Sequence, residues 1–234
     1  MLKIDQLSHT ISKQPIIRDL SLTTKPSGLY VFAGANGCGK STLFNIICGL
    51  YPIQQGSIFI NNTNNIEVYR SLIGCSIEPF TNAPQICVRQ ILDIARRIKE
   101  TTEEDVYYWL KFWDLHEAID KPFGALSVGM IKRLSLITSL LGNPSVYIWD
   151  EPFNGLDPLG IQKLKQLITT LLSQNKLILL STHILAELSN TVEQVIIMEM
   201  GEIKKILTPP NKEINSTSSI ISWLEKPTPN HIPE

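Results

Sequence analysis

The stretch Gly34-Ala35-Asn36-Gly37-Cys38-Gly39-Lys40-Ser41-Thr42 decides the reading of this 234-residue chain. It carries glycines, then Lys and Ser/Thr, at the spacing of a phosphate-binding loop. With ordinary residue usage a chain of this size meets that pattern by chance about 1% of the time. The flanks supply the context such a loop needs. Leu29-Tyr30-Val31-Phe32-Ala33 reads as a buried strand, and Leu43, Phe44, Ile46, Ile47 and Leu50 recur at helical spacing. Strand, glycine loop and helix together predict a nucleoside triphosphate site.

Glycines at 34, 37 and 39 permit backbone dihedrals that a side chain would oppose, so successive N–H groups can turn inward around a phosphate. The loop feeds a helix N-terminus, where unsatisfied N–H groups and the helix dipole favour anions. In this reading residues 34–42 cradle the phosphates, Lys40 reaches the β- and γ-phosphates, and the Ser41 hydroxyl ligates Mg²⁺. A second segment, Val146-Tyr147-Ile148-Trp149, is an apolar run ending in Asp150-Glu151-Pro152. Alone it reads as a strand entering a solvated turn. Beside a triphosphate, a carboxylate at the C-terminal end of a buried strand suits a Mg²⁺ site. Asp150 is then the metal-side group, and Glu151 the general base for an attacking water.

The chain is long enough for one substantial α/β domain with an inserted subdomain. A formal charge of −1 and the lack of a basic stripe argue against a nucleic-acid partner. The start, Met1-Leu2-Lys3-Ile4-Asp5, alternates like a strand rather than a signal peptide, and no apolar run approaches the ~20 residues that span a bilayer. These features predict a cytoplasmic protein, soluble or peripheral. Cysteines at 38, 48, 75 and 87 lack metal-ligand spacing and fit a reducing compartment. Cys38, at a helix start among inward-facing amides, is a candidate reactive thiol.

Strands are predicted over 2–7, 16–24, 57–60 and 73–77. From Pro79 to about Leu141 the period becomes helical, with Val88, Ile91, Leu92, Ala95 and Ile98 on one helix, Val106, Trp109, Leu110 and Trp113 on a second, and Leu134, Ile137, Leu140 and Leu141 on a third. Alternating strands and helices return from Val146 to Ser181. The pattern predicts a parallel-sheet core interrupted by a helical insertion of about sixty residues. Beyond Thr208, prolines at 209, 210, 227, 229 and 233 suggest a loose extension with Ser222-Trp223-Leu224 as an anchoring patch.

Between the two phosphate-site segments lies Leu126-Ser127-Val128-Gly129-Met130-Ile131-Lys132-Arg133, with Ser127 placed 23 residues before Asp150. In isolation it is a serine-capped helix start. It is followed, however, by Asn154-Gly155-Leu156-Asp157 and, after another apolar strand, by Ser181-Thr182-His183. That ordered set resembles the ATP-binding-cassette ATPases: signature helix, D-loop and switch histidine in sequence. The resemblance covers about residues 2–208. It implies an α/β P-loop NTPase fold, with a RecA-like parallel-sheet core, an N-terminal antiparallel β subdomain and a helical subdomain inserted at about 79–141. The ATPase domain would span 1–208 and the extension 209–234. It also implies that two such domains, identical or paralogous, stack head to tail around two ATP molecules. Each ATP is held by the glycine loop of one copy and by Ser127, Val128 and Gly129 of the other. His183 would contact the γ-phosphate and help hold Glu151 and the water in line, and Asp157 would couple the two sites.

Three positions depart from the family's usual pattern. Glu78 stands where most relatives have glutamine touching Mg²⁺ and the membrane partner; it keeps an acceptor oxygen but loses an amide donor and adds charge. Val128 and Met130 replace a glycine and a glutamine of the signature. Both features are similar to the exporter branch that handles antibiotic peptides and lantibiotics. Near Ile11, where relatives stack the adenine on an aromatic residue, the chain is aliphatic, with His9 close by. The resemblance therefore implies an ATP-hydrolysing, energy-coupling subunit peripheral to the cytoplasmic face of a membrane. A separate transmembrane permease would dock on an exposed apolar groove near Glu78–Ile98. The alternative is a cassette ATPase acting on ribosomes, DNA or a surface-assembly complex. A P-loop kinase or GTPase would lack the signature and D-loop.

Overall fold

Strands β3 (Gly28–Ala33), β6 (Val146–Trp149), β7 (Leu177–Ser181) and, over residues 195–198, β8 (Val192–Glu199) are apolar on both faces, as strands covered on both sides must be. In the computed structural model, which describes residues 1–182, 188 and 191–208, they join β5 (Ile73–Ser76) and β9 (Glu202–Leu207) in one sheet of order β5-β6-β7-β3-β8-β9. The first five strands are mutually parallel, and β9 returns antiparallel on β8 through a Met200-Gly201 turn. Helical crossovers are what parallel neighbours require. A second, antiparallel sheet of order β2-β1-β4 is built from β1 (Leu2–Ile11), β2 (Gln14–Thr23) and β4 (Gln55–Ile60). Strands β1 and β2 reach further toward each other than the hydrophobic pattern predicts. Ser12 and Lys13, at φ 49° and 67°, make a two-residue turn that lets Ile11 pair with Gln14.

Side-chain alternation along the parallel strands divides the interior in two. Tyr30, Phe32, Ile148, Leu179 and Ile196 face the antiparallel sheet and α1 (Lys40–Ile47), which buries Leu43, Phe44, Ile46 and Ile47 there. Val31, Tyr147, Trp149, Leu180 and Ile197 face the opposite side. That side also holds α3 (Val88–Ile98), α4 (Glu103–Phe112), α5 (Val128–Leu140) and α6 (Pro158–Ser173), all in sequence after the short α2 (Ile66–Arg70). Helix α5 packs on β5 so closely that a Cβ on Gly74 would lie 1.9 Å from the Ser139 carbonyl. Polar groups in this seam are paired: Ser76 Oγ with Ser135 Oγ at 2.8 Å, and Trp149 Nε1 donating to Ser139 Oγ at 3.0 Å.

Pairs 192–199 and 202–207 were not among the predicted strands. Val195-Ile196-Ile197-Met198 before a glycine turn is the signal that marks them. His183 and the region 209–234, including Ser222-Trp223-Leu224, lie outside the described residues.

Candidate functional site

Because β5, β6, β7 and β3 run parallel and adjacent, their C-terminal ends deliver Glu78, Asp150-Glu151, Ser181 and the glycine loop to one edge of the sheet. That edge is where open α/β sheets hold ligands. The loop fits an anion. Gly34, Gly37 and Gly39 adopt φ of 156°, 80° and 110°. A Cβ on Gly34 would meet the Met198 carbonyl at 2.3 Å, whereas one on Gly37 would enter open space. Ala35, Asn36, Gly37 and Ser41 are exposed and Thr42 half-buried. Gly39 caps α1 with no side-chain acceptor, and the first turn holds no acidic residue. The amides of that turn thus face solvent-accessible space without a built-in anion. Lys40 is buried, its Nζ donating to the carbonyls of Gly34 at 2.8 Å and Ala35 at 3.2 Å. Its charge is centred in the loop. Cys38 is buried beneath it, with Sγ 3.7 Å from Lys40 Nζ, so access to this thiol is restricted.

Asp150 is 3% exposed at the end of β6. Its Oδ1 accepts from Ser181 Oγ at 2.6 Å, and the same hydroxyl accepts from the Glu151 amide at 2.8 Å. Glu151 itself has φ 44°, a backbone region costly to non-glycine residues and commonest at functional sites. Two contacts hold it there: the Ser181 bond to its N–H and Lys132 Nζ donating to its carbonyl at 3.0 Å. Lys132 Nζ also pairs with the Glu78 carboxylate. Among the described residues no group of three His, Cys, Asp or Glu side chains forms a metal cage. A divalent cation at Asp150 and Ser41 would take most of its oxygens from phosphate and water, the habit of Mg²⁺.

Ser127 caps α5, accepting from Met130 N at 3.3 Å, and Val128 beside it is 73% exposed. This helix start packs on the 154–157 loop: a Cβ on Gly129 would sit 2.8 Å from the Gly155 carbonyl, and one on Gly155 3.0 Å from Val128 Cγ1. Asp157 caps α6 through Gly160 N at 3.0 Å and pairs with Arg133 Nη2 at 2.6 Å. The Arg133 guanidinium, helped by the Gly160 amide, holds the Asp157 carboxyl below the usual carboxylate range. Residues 127–129 and 155–157 therefore form one surface, carried by α5 and α6 on the face opposite α1.

His9 is buried and stacks on Tyr51, with ring centroids 5.9 Å apart at 5°, while Ile11 is exposed near the hairpin turn. The Ile16 carbonyl of β2 lies 3.0 Å from where a Gly39 Cβ would be, so the antiparallel sheet borders the loop. A groove of about 490 Å³ opens beside Glu78, lined by Leu50, Tyr51, Cys75, Phe80 and Ile98. Ile98 is 73% exposed.

The bridging roles of Ser181 and Lys132 were missed from sequence. Ser181 reads there only as the first of Ser181-Thr182-His183. Lys132 carries one signal: it is a cation in phase with the buried positions 135, 136 and 139 of α5.

The ABC transporter family matches residues 17–154. The chain is 30% identical over 203 residues to the lantibiotic transport ATP-binding protein SrtF of Streptococcus pyogenes, covering 87% of this chain and 89% of the relative. It is also 30% identical over 211 residues to the bacitracin transport ATP-binding protein BcrA of Bacillus licheniformis, covering 87% and 68%. Among solved structures, the ATP-binding subunit of an ABC transporter superposes with a TM-score of 0.86 at 26% identity, covering 97% of this chain and all of that one. A bacterial ABC transporter cassette solved as a dimer superposes with a TM-score of 0.80 at 21% identity, covering 90% and 100%.

Proposed function

The chain belongs to the ABC transporter family as an ATPase cassette, and from that premise we propose that it powers export through a separate membrane-spanning subunit. Two cassettes close head to tail on two MgATP and reopen on hydrolysis. The observation that carries this reading is the placement of α1 and α5 on opposite faces of the sheet. One chain carries two helix starts, that of α1 with its glycine loop and that of α5 with its exposed Val128, on opposite faces of the sheet, and in this reading each serves a different nucleotide.

In this reading the loop amides of 34–42 and Lys40 bind the β- and γ-phosphates. Ser41 and Asp150 hold Mg²⁺, which neutralises phosphate charge, and Ser181 fixes the Asp150 carboxylate. Glu151 takes a proton from the attacking water, its backbone held at φ 44° by Ser181 and Lys132. The partner copy's signature completes the γ-phosphate site, and the exposed Val128 suits a contact that buries it. His183 belongs to the same proposal.

No helix among the described residues is long and apolar enough to cross a membrane. The groove lined by Leu50, Tyr51, Phe80 and Ile98 is the surface we assign to a cytoplasmic helix of the permease. Export of an antimicrobial peptide is supported by relatives named for lantibiotic and bacitracin transport.

Glu151→Gln tests the reading. It keeps the geometry but removes the base, so hydrolysis falls by at least about 100-fold while ATP binding persists. Light scattering should then show ATP-dependent conversion of monomer to dimer. Undiminished hydrolysis, or a variant that binds ATP and stays monomeric, refutes it.

A further inference from the structure

Lys132 sits in the buried stripe of α5 and is 5% exposed. Its ammonium group has three acceptors: the Glu78 carboxylate, the Glu151 carbonyl at 3.0 Å and the Asp150 carbonyl at 3.5 Å. Three is a lysine's full donor inventory. A buried ammonium is tolerated only where it is paired and hydrogen-bonded, and here every donor is used. The three partners come from two segments distant in sequence, the loop after β5 and the end of β6. Lys132 thereby ties both to the helix that begins at Ser127.

The charge arithmetic gives this tie a function. Glu78 leaves the same sheet edge as Asp150 and Glu151, where a triphosphate carrying about four negative charges would bind. Its side chain is 46% exposed. Unpaired, it would add a third carboxylate to an anion site. Paired with Lys132 it adds none.

We propose that Lys132 is a positioning residue for the nucleotide site: it neutralises Glu78 and holds that loop and the Asp150–Glu151 strand end against α5. The proposal rests on the ATPase reading above but concerns only how the carboxylates are managed. Mg²⁺ screens negative charge on its own, so the Lys132 effect is greatest when ATP binds without metal. The same tie makes the groove loop bearing Glu78 and the helix presenting Ser127 respond to one another.

A double-mutant cycle tests it, with ATP affinity measured by calorimetry in EDTA and in excess Mg²⁺, and melting temperature as the fold control. Lys132→Gln leaves Glu78 uncompensated and lowers metal-free ATP affinity about tenfold, within the range of coupled neighbours. The loss is smaller with Mg²⁺ present. Glu78→Gln in that background restores metal-free affinity to within about threefold, because two amides replace the ion pair without net charge. KM for MgATP follows the same order, with kcat moving less. Equal losses in the single and double variants overturn the proposal, since a purely structural role gives no rescue. Should Lys132→Gln fail to fold alone, Glu78→Ala is compared with Glu78→Ala/Lys132→Gln. Without the carboxylate, the lone Lys132 charge raises metal-free affinity above wild type, and its loss returns affinity to within about threefold of wild type; a double variant about tenfold weaker than wild type refutes the idea. Failure of the ATPase reading shows separately, as wild-type protein that neither binds nor hydrolyses ATP.

Discussion

Replacing Ser181 with alanine removes one oxygen from a site with no exposure to solvent. That oxygen donates to Asp150 Oδ1 at 2.6 Å and accepts from the Glu151 amide at 2.8 Å. A hydrogen bond to a buried carboxylate contributes about 1.5–3 kcal/mol, and an orphaned amide costs about 1 kcal/mol when water can partly reach it. Glu151 is half-buried, so the lower amide figure applies. The sum is about 3 kcal/mol, a large share of the 5–15 kcal/mol that ordinarily stabilises a domain. For a chain of this size that lowers the melting temperature by about 6–12 °C. Asp150 also loses the contact that orients it, so the Mg²⁺ midpoint for ATP binding rises. Calorimetric melting and a Mg²⁺ titration of nucleotide binding read the two effects on one sample. An Asp150→Asn background should shrink the melting loss, because the charge-assisted part is already gone. A shift below about 2 °C with an unchanged Mg²⁺ midpoint would show that the hydroxyl does not hold the carboxylate.

Two further outcomes are expected. Gly74→Ala forces a Cβ to within 1.9 Å of the Ser139 carbonyl and 2.7 Å of Pro144 Cγ, so β5 and α5 must part at a cost of about 2–3 kcal/mol; an unchanged urea midpoint would contradict that packing. The Cys75 thiol is lowered to about 7, first by a hydrogen bond from Cys48 and then by the Lys99 and Arg70 charges, while Cys48 is pushed well up by that contact and by burial. A lowered pKa means that the thiolate persists on descending toward neutral pH and is lost below about 7. Iodoacetamide labelling of exposed Cys75 should therefore rise through a midpoint near 7 and lose that midpoint in Cys48→Ala; a midpoint near 9 in both proteins would refute the pairing.

Chemistry carried by contiguous residues was legible without coordinates. The glycine loop needs its glycines, Lys40 and Ser41 at fixed spacing because backbone amides and a helix start converge over only nine residues. The apolar run before Asp150 announces a buried strand by composition alone. The three helices between β5 and β6 were readable because amphipathic period survives in a single chain. Helix α2 was not, since five residues are too few to show a period.

What one chain segment does to another, 50 residues away, leaves little local trace. Glu78 read as a metal-site carboxylate in place of the family's glutamine; its pairing with Lys132 depends on α5 packing on β5 through Gly74. Ser181 read as the end of a strand, and only the parallel register that sets Leu180 beside Trp149 brings its hydroxyl to Asp150. Sequence by itself determined the family and the fold class, and it supplied the candidate phosphate loop and carboxylates, because local spacing encodes them. Tertiary structure decided which groups hold the carboxylates in place and that the starts of α1 and α5 lie on opposite faces of the sheet. Both depend on contacts between distant segments, and those are set by how strands pair and helices pack rather than by the order of neighbouring residues.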